Sequence, residues 1–193
     1  MKLLGKIVRL QIQRSSLKLL EDGLKVYNPA PLLSVDELTL TKTGASARAA
    51  DGSFVIDVHN SAHPYTKNGG PNGISVLFTS HYREMRTRFG KHMATGCAGE
   101  NILVETQEVV PLEQVAAGIV FETKTGPVTL GSVIVATPCK PFSTFALGSG
   151  RDPAIAELKL ALQFLDRGMR GYYCALASEA PATLTLGTQV FAI

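Results

Sequence analysis

At 193 residues, with 45% hydrophobic and 18% charged side chains, the chain can bury roughly 70% of its unfolded surface, so its core needs neither a disulfide nor a metal. Its formal net charge of +3 does not point to a nucleic-acid face, although it allows a local site for an anion. Three cysteines, Cys97, Cys139 and Cys174, stand far apart without a C-x-x-C pair, which argues for reduced thiols rather than a structural zinc site.

The longest apolar stretches, such as Ile74–Phe78 and Val133–Ala136, are strand-sized, far short of the ~20 residues of a membrane span. Lys2, Lys6 and Arg9 interrupt Met1–Leu10, which therefore lacks the apolar core of a signal peptide. The expectation is a single domain over residues 1–193 in the cytoplasm, with neither membrane nor nucleic acid as partner.

Along the chain, Val8, Leu10 and Ile12 alternate with Arg9, Gln11 and Gln13, the period of a half-buried strand. Phe54, Ile56 and Val58 repeat the pattern. Residues 51–73 are rich in Gly, Pro, Asn and His and read as a long loop, a length often tied to function. Gly73–Thr79 reads as a strand. A first helix is expected from His81 to Phe89, capped by Ser80 and stopped at Gly90, with Tyr82, Met85 and Phe89 on one face. Asn101–Thr106 and Val128–Thr137 are Val/Ile/Thr-rich strands, with Gly126-Pro127 and Gly131 as turn or bulge signals. A second helix is expected with Asp152 as cap, Pro153 at its first position, a stripe of Ile155, Leu158, Leu162 and Leu165, and Gly168 at its end. Tyr172–Ala177 and Thr183–Phe191 close the chain, with a turn at Gly187. Short, evenly spaced strands that outnumber helices predict a mostly β fold, a barrel of largely antiparallel strands with peripheral helices.

Cys139 stands in Thr137-Pro138-Cys139-Lys140-Pro141-Phe142, directly after an apolar strand. The flanking prolines predict a rigid loop, and Lys140 favours the thiolate, the reactive form of the side chain. The competing reading is a buried small hydrophobe. Gly99-Glu100-Asn101-Ile102 puts a carboxylate and an amide at the head of a strand, where they can bind a polar ligand or fasten a turn. Arg83, Arg86, Arg88 and Lys91 form a basic set able to hold phosphate or simply to face water. Ser149-Gly150-Arg151 precedes the second helix and is a weaker anion signal. His59 and His63 with His81 and His92 make no zinc set, so a supporting or surface role is expected for them.

Taken in order, these segments resemble the MOSC domain family, the C-terminal domain of molybdenum-cofactor sulfurases. The resemblance runs through Asn68-Gly69-Gly70-Pro71, Ala98-Gly99-Glu100-Asn101-Ile102, Pro138-Cys139-Lys140-Pro141-Phe142 and Arg170-Gly171-Tyr172-Tyr173, within about residues 50–192. Each motif is weak alone, and their order and spacing carry the signal. Where relatives often show His-Gly-Gly, this chain has Asn68-Gly69-Gly70, and His59 or His63 is available for such a role.

The resemblance implies a β-barrel that handles the molybdenum cofactor, a pterin with a dithiolene and a phosphate. It implies Cys139 as the reactive centre or the metal ligand, with Glu100, Asn101, Lys140 and Arg170 as cofactor-binding residues. Three functions stay open. In the first, Cys139 accepts a persulfide sulfur and delivers it to a metal–sulfur cofactor, a sulfurtransferase-like role. In the second, a small molybdenum-dependent reductase of N-hydroxylated compounds uses Cys139 as its molybdenum ligand. The third is a binding module without chemistry. The chain has no room for a pyridoxal-phosphate desulfurase domain, so the expected partners are a separate cysteine desulfurase or electron donor, and the cofactor or a molybdoenzyme.

Overall fold

The computed structural model describes residues 1–67, 70, 72–148 and 152–193. In chain order these form β1 (Lys2–Gln13), β2 (Lys18–Glu21), β3 (Leu24–Tyr27), β4 (Leu32–Val35), β5 (Glu37–Thr41), β6 (Gly44–Arg48), β7 (Phe54–Ile56) and β8 (Ile74–Phe78). The helix α1 (Thr79–Phe89), β9 (Ile102–Glu105), α2 (Leu112–Val115), β10 (Ile119–Thr123) and β11 (Gly126–Val135) follow. The chain finishes with α3 (Lys140–Leu147), α4 (Ile155–Leu165), β12 (Tyr172–Leu176), β13 (Ala182–Thr185) and β14 (Gln189–Ala192).

Seven strands close a barrel in the order β14-β10-β11-β12-β8-β9-β1, and β1 returns to β14 with Lys2 opposite Ala192. Every ladder of the barrel is antiparallel except β8–β9, which α1 joins as a crossover. A sheet of β13-β5-β6-β7 and the β2–β3 hairpin flank the barrel. Closure pairs the edges that an open sheet would expose.

One buried cluster fills the barrel and continues under the flanking sheet, with Ile7, Leu10, Phe78, Phe121, Tyr172 and Leu38 among its members. A second cluster lies on the outer face, where Leu77 and Leu103 of the barrel meet Tyr82 and Met85 of α1, Phe142 and Ala146 of α3, and Leu165 of α4. The apolar β8 is thereby explained. Val76 and Phe78 point into the barrel, Leu77 points into the helical layer, and all five residues are buried. Among the described residues no helix is long and apolar enough to cross a membrane.

Several local expectations are corrected. The ladder of β1 with β9 slips between Ile7 and Arg9, so Ile7 and Leu10 turn inward while Val8 is left exposed. Helix α1 starts at Thr79, so Ser80 lies inside it, and the Ser80 hydroxyl pairs with Thr106 Oγ1 at 2.7 Å instead of capping. Helix α4 starts at Ile155, not at Pro153, and no side chain caps it. Its expected stripe is only partly buried, because Leu165 is covered whereas Ile155 is exposed. The rigid loop expected around Cys139 gives way at Lys140 to α3 (Lys140–Leu147), an unexpected helix. Pro141 sits in its first turn, where a missing N–H costs nothing, and Gly148 ends it in the left-handed conformation (φ 64°).

Candidate functional site

Cys139 is the residue from which α3 starts. Its backbone is extended (φ −125°, ψ 156°), and its carbonyl accepts the Ser143 N–H at 3.0 Å, closing the first helical turn. A negative charge on the sulfur at this end of a helix is favoured by the unpaired N–H groups of the first turn. The thiol is half-buried at the edge of the outer core cluster.

Two distant segments meet here. At the end of β11 the Ala136 N–H donates to Gly171 O at 2.9 Å, which lays Arg170-Gly171 beside Thr137-Pro138-Cys139. The Arg170 Nη1 then donates to Thr137 O at 3.2 Å, and its guanidinium covers the Phe142 ring with Cζ 4.7 Å from the ring centre. Gly171 is required for this approach. Its φ is 94°, and a Cβ there would lie 2.5 Å from Val76 O.

Tyr27, on β3, completes the wall. Its ring meets Phe142 edge-on at 5.0 Å, and its hydroxyl donates to Cys97 O at 2.8 Å. Burial pushes the Tyr27 hydroxyl above its ordinary range. Burial alone would lower the pKa of Arg170, but Tyr173, Tyr27 and Cys139 around it more than offset that and raise it. The Arg170 Nε is buried without a hydrogen-bond partner.

Glu100 lies beneath this wall, 4% exposed, and accepts the Tyr82 hydroxyl at 2.9 and 3.2 Å. Tyr82 in turn accepts the Ala98 N–H at 2.9 Å. Burial raises the Glu100 carboxyl to about 7, against the pull of its backbone and Tyr82 hydrogen bonds and of Arg9 and Arg170. Tyr27 is in electrostatic reach of both Glu100 and Cys139, so the acid and the thiol share one neighbourhood.

The other sequence candidates divide. Asn101 is engaged within the fold, the fastening role that the sequence left open beside ligand binding. Its Oδ1 accepts from Ser75 N and Oγ, both at 3.0 Å, and its Nδ2 donates to Gln11 O at 3.2 Å and Asp57 Oδ2 at 2.7 Å, which saturates the amide. Lys140 is exposed at the first position of α3. The basic set on α1 is spent on structure. Arg83 holds the Thr106 and Gln107 carbonyls, Arg86 holds Met93 O and Thr95, and Arg88 lies over Phe164. Asn68, Gly69, Pro71, Ser149, Gly150 and Arg151 lie outside the described residues. His59 has its Nδ1 3.0 Å from the buried Asp57 carboxylate and its ring 5.6 Å from that of Tyr173. His63 packs near Tyr65 instead. Tyr27 and Asp57 went unread as site residues because the contacts that place them come from strands far away in sequence.

The three thiols differ in ways that fix their order of reaction. Cys97 and Cys174 are buried, and burial pushes each thiol up to about 12. Alkylation near neutral pH is therefore expected to modify Cys139 well before the other two, because the thiolate is the nucleophile. Mass spectrometry of partly labelled protein reads this directly, and equal labelling of all three would contradict it.

A family model described as the MOSC domain matches residues 65–191. No curated protein sequence matches the chain. Among solved structures, the YuaD protein from Bacillus subtilis is similar with a TM-score of 0.58 at 15% identity, over 98% of this chain and 94% of that one. YiiM from Escherichia coli is similar with a TM-score of 0.50 at 15% identity, over 83% of this chain and 64% of that one. These likenesses extend the shared fold to strands before the matched segment, β1 included. With the matched segment covering the barrel from β8 onward and the segments around Cys139 and Arg170, the chain belongs to the MOSC domain family.

Proposed function

We propose that the protein is a sulfur carrier of molybdenum-cofactor metabolism, with Cys139 as the residue that holds the sulfur. Membership of the MOSC family supports the link to that cofactor. The observation that carries the finer reading is the contrast among the thiols: Cys139 is half-open at a helix start, and the other two are buried. The Cys139 thiolate attacks the outer sulfur of a persulfide on a separate cysteine desulfurase. One S–S bond forms to Cys139, the donor's S–S bond breaks, and the donor leaves as a thiolate, with no net change of oxidation state. The carried sulfur then passes to a second nucleophile by the same exchange, on its way to a metal–sulfur cofactor.

The residues around Cys139 also fit the molybdenum cofactor itself. A soft thiolate suits such a metal, and the unpaired Arg170 Nε suits an anionic group. Bound there, the cofactor would supply two-electron redox chemistry, with Cys139 as ligand and Arg170 as anion contact. That is the second reading, a small reductase of N-hydroxylated compounds.

One experiment separates the two. Incubation with a cysteine desulfurase and cysteine is expected to add one sulfur to the Cys139 peptide, and Cys139→Ser is expected to abolish the addition. Failure to load, with near-stoichiometric molybdenum and pterin in protein from a molybdenum-replete host, would move the assignment to the reductase. Failure on both counts would leave a binding module.

A further inference from the structure

Helix α3 carries an unexplained hydroxyl. Ser143 is entirely buried, and its Oγ has no hydrogen-bond partner. A serine inside a helix ordinarily points to water or bonds back to the carbonyl four residues earlier, and this one does neither. Its position follows from the backbone: the Ser143 N–H donates to Cys139 O, so the two residues are one turn apart on one side of the helix. Helical side chains tilt toward the N-terminus, which lays the Ser143 hydroxyl over the turn that begins at Cys139.

A second stranded donor is close by. Arg170 packs its guanidinium on Phe142, the residue before Ser143, lies in electrostatic reach of Cys139, and leaves its Nε buried and unpaired. An orphaned buried donor is costly, and these two, one a helical turn from Cys139 and the other in electrostatic reach of it, call for an acceptor that the fold does not provide. Thr144, also buried with an unpaired hydroxyl, lines a cleft of about 530 Å³ with Lys25, Tyr27, His92 and Phe145.

We propose that Ser143 and Arg170 form a seat for the outer sulfur of a Cys139 persulfide anion, the hydroxyl and the Nε–H donating to the added atom. The proposal rests on the sulfur-carrier reading and adds a positioning residue, Ser143, that no motif contains. Lengthening the Cys139 side chain by one sulfur supplies the anionic acceptor that both donors lack, and their hydrogen bonds to a charged sulfur would slow its loss.

The test loads the full-length protein chemically with sodium tetrasulfide, and trapping with iodoacetamide and mass spectrometry follow the Cys139 persulfide with time. Ser143→Ala is expected to keep or raise the melting temperature, since it removes a buried unpaired hydroxyl. It should leave alkylation of unmodified Cys139 unchanged, and it should shorten the persulfide lifetime about tenfold, the effect of one hydrogen bond to a charged group. Thr144→Val, which removes the hydroxyl on the cleft side, is expected to leave that lifetime as it is. An equal lifetime in the parent and in Ser143→Ala would overturn the seat, and so would failure of tetrasulfide to load Cys139. Loading by tetrasulfide but not by a desulfurase would instead sink the carrier reading, with the seat still measured by the lifetimes.

Discussion

Replacing Asp57 by alanine is expected to lower stability by about 4 kcal/mol, the range for breaking a buried, fully bonded carboxylate. Asp57 follows β7, and its side chain is completely buried. It accepts Gln13 N and Asn101 Nδ2 at 2.7 Å, His59 N at 2.9 Å and His59 Nδ1 at 3.0 Å. Alanine would strand the donors of Gln13 and Asn101, which are themselves buried. The carboxylate thus ties the end of β1 and the start of β9 to the loop after β7. A fall in melting temperature of about 10 °C is expected, since 1 kcal/mol is worth about 2–4 °C in a chain of this size. A loss no larger than that of an exposed ion pair, ~1 kcal/mol, would remove Asp57 from this role.

Glu100→Gln is expected to change the pH profile of stability more than its level at any one pH. The Glu100 carboxyl rises from 4.5 to about 7 on folding, so the folded protein binds this proton more tightly than the unfolded chain. Its contribution is complete below pH 4.5 and is lost as pH rises through 7, a loss of about 3 kcal/mol. His81 does the opposite. Burial drives it from 6.5 down to about 4, so stability is complete above pH 6.5 and is lost as pH falls through 4. Where the two windows overlap, their slopes oppose each other and the parent profile is nearly flat. The Gln variant keeps a partner for Tyr82 and removes one slope, so its stability should rise with pH between 4 and 6.5 and exceed the parent's at pH 8. Denaturant unfolding at four or five pH values measures this, and parallel profiles would show that folding leaves the Glu100 carboxyl unshifted.

The barrel strands β8, β9, β11 and β12 are legible as short apolar runs, fully buried in β8 and alternating through Val128 and Leu130 in β11. The sequence did not reveal β2 to β6. These strands are only four or five residues long, and β2 and β3 expose Leu19, Leu20 and Leu24, so they give little apolar periodicity to read. The prolines around Cys139 signal a loop by their usual geometry, yet Pro141 falls in the one part of a helix that tolerates it, which hid α3. Cys139, Glu100 and Arg170 could be picked out because motifs contain them. Tyr27, Asp57 and Ser143 could not: the first two are placed by long-range pairing, and the last is distinguished only by a partner it lacks.

The way the barrel closes sets the order in which the chain can become native. Strand β14 hydrogen-bonds both β1 and β10, so one edge of β1 stays open until β14, the last of the barrel strands in sequence, is in place. No partial chain can complete the ring, and contacts of such long sequence separation form slowly. Throughout synthesis the unpaired edge of β1 and the open side of β10 are templates for another chain. The same closure that protects the finished barrel from edge-to-edge association leaves β1 and β10 open to it until β14 is in place.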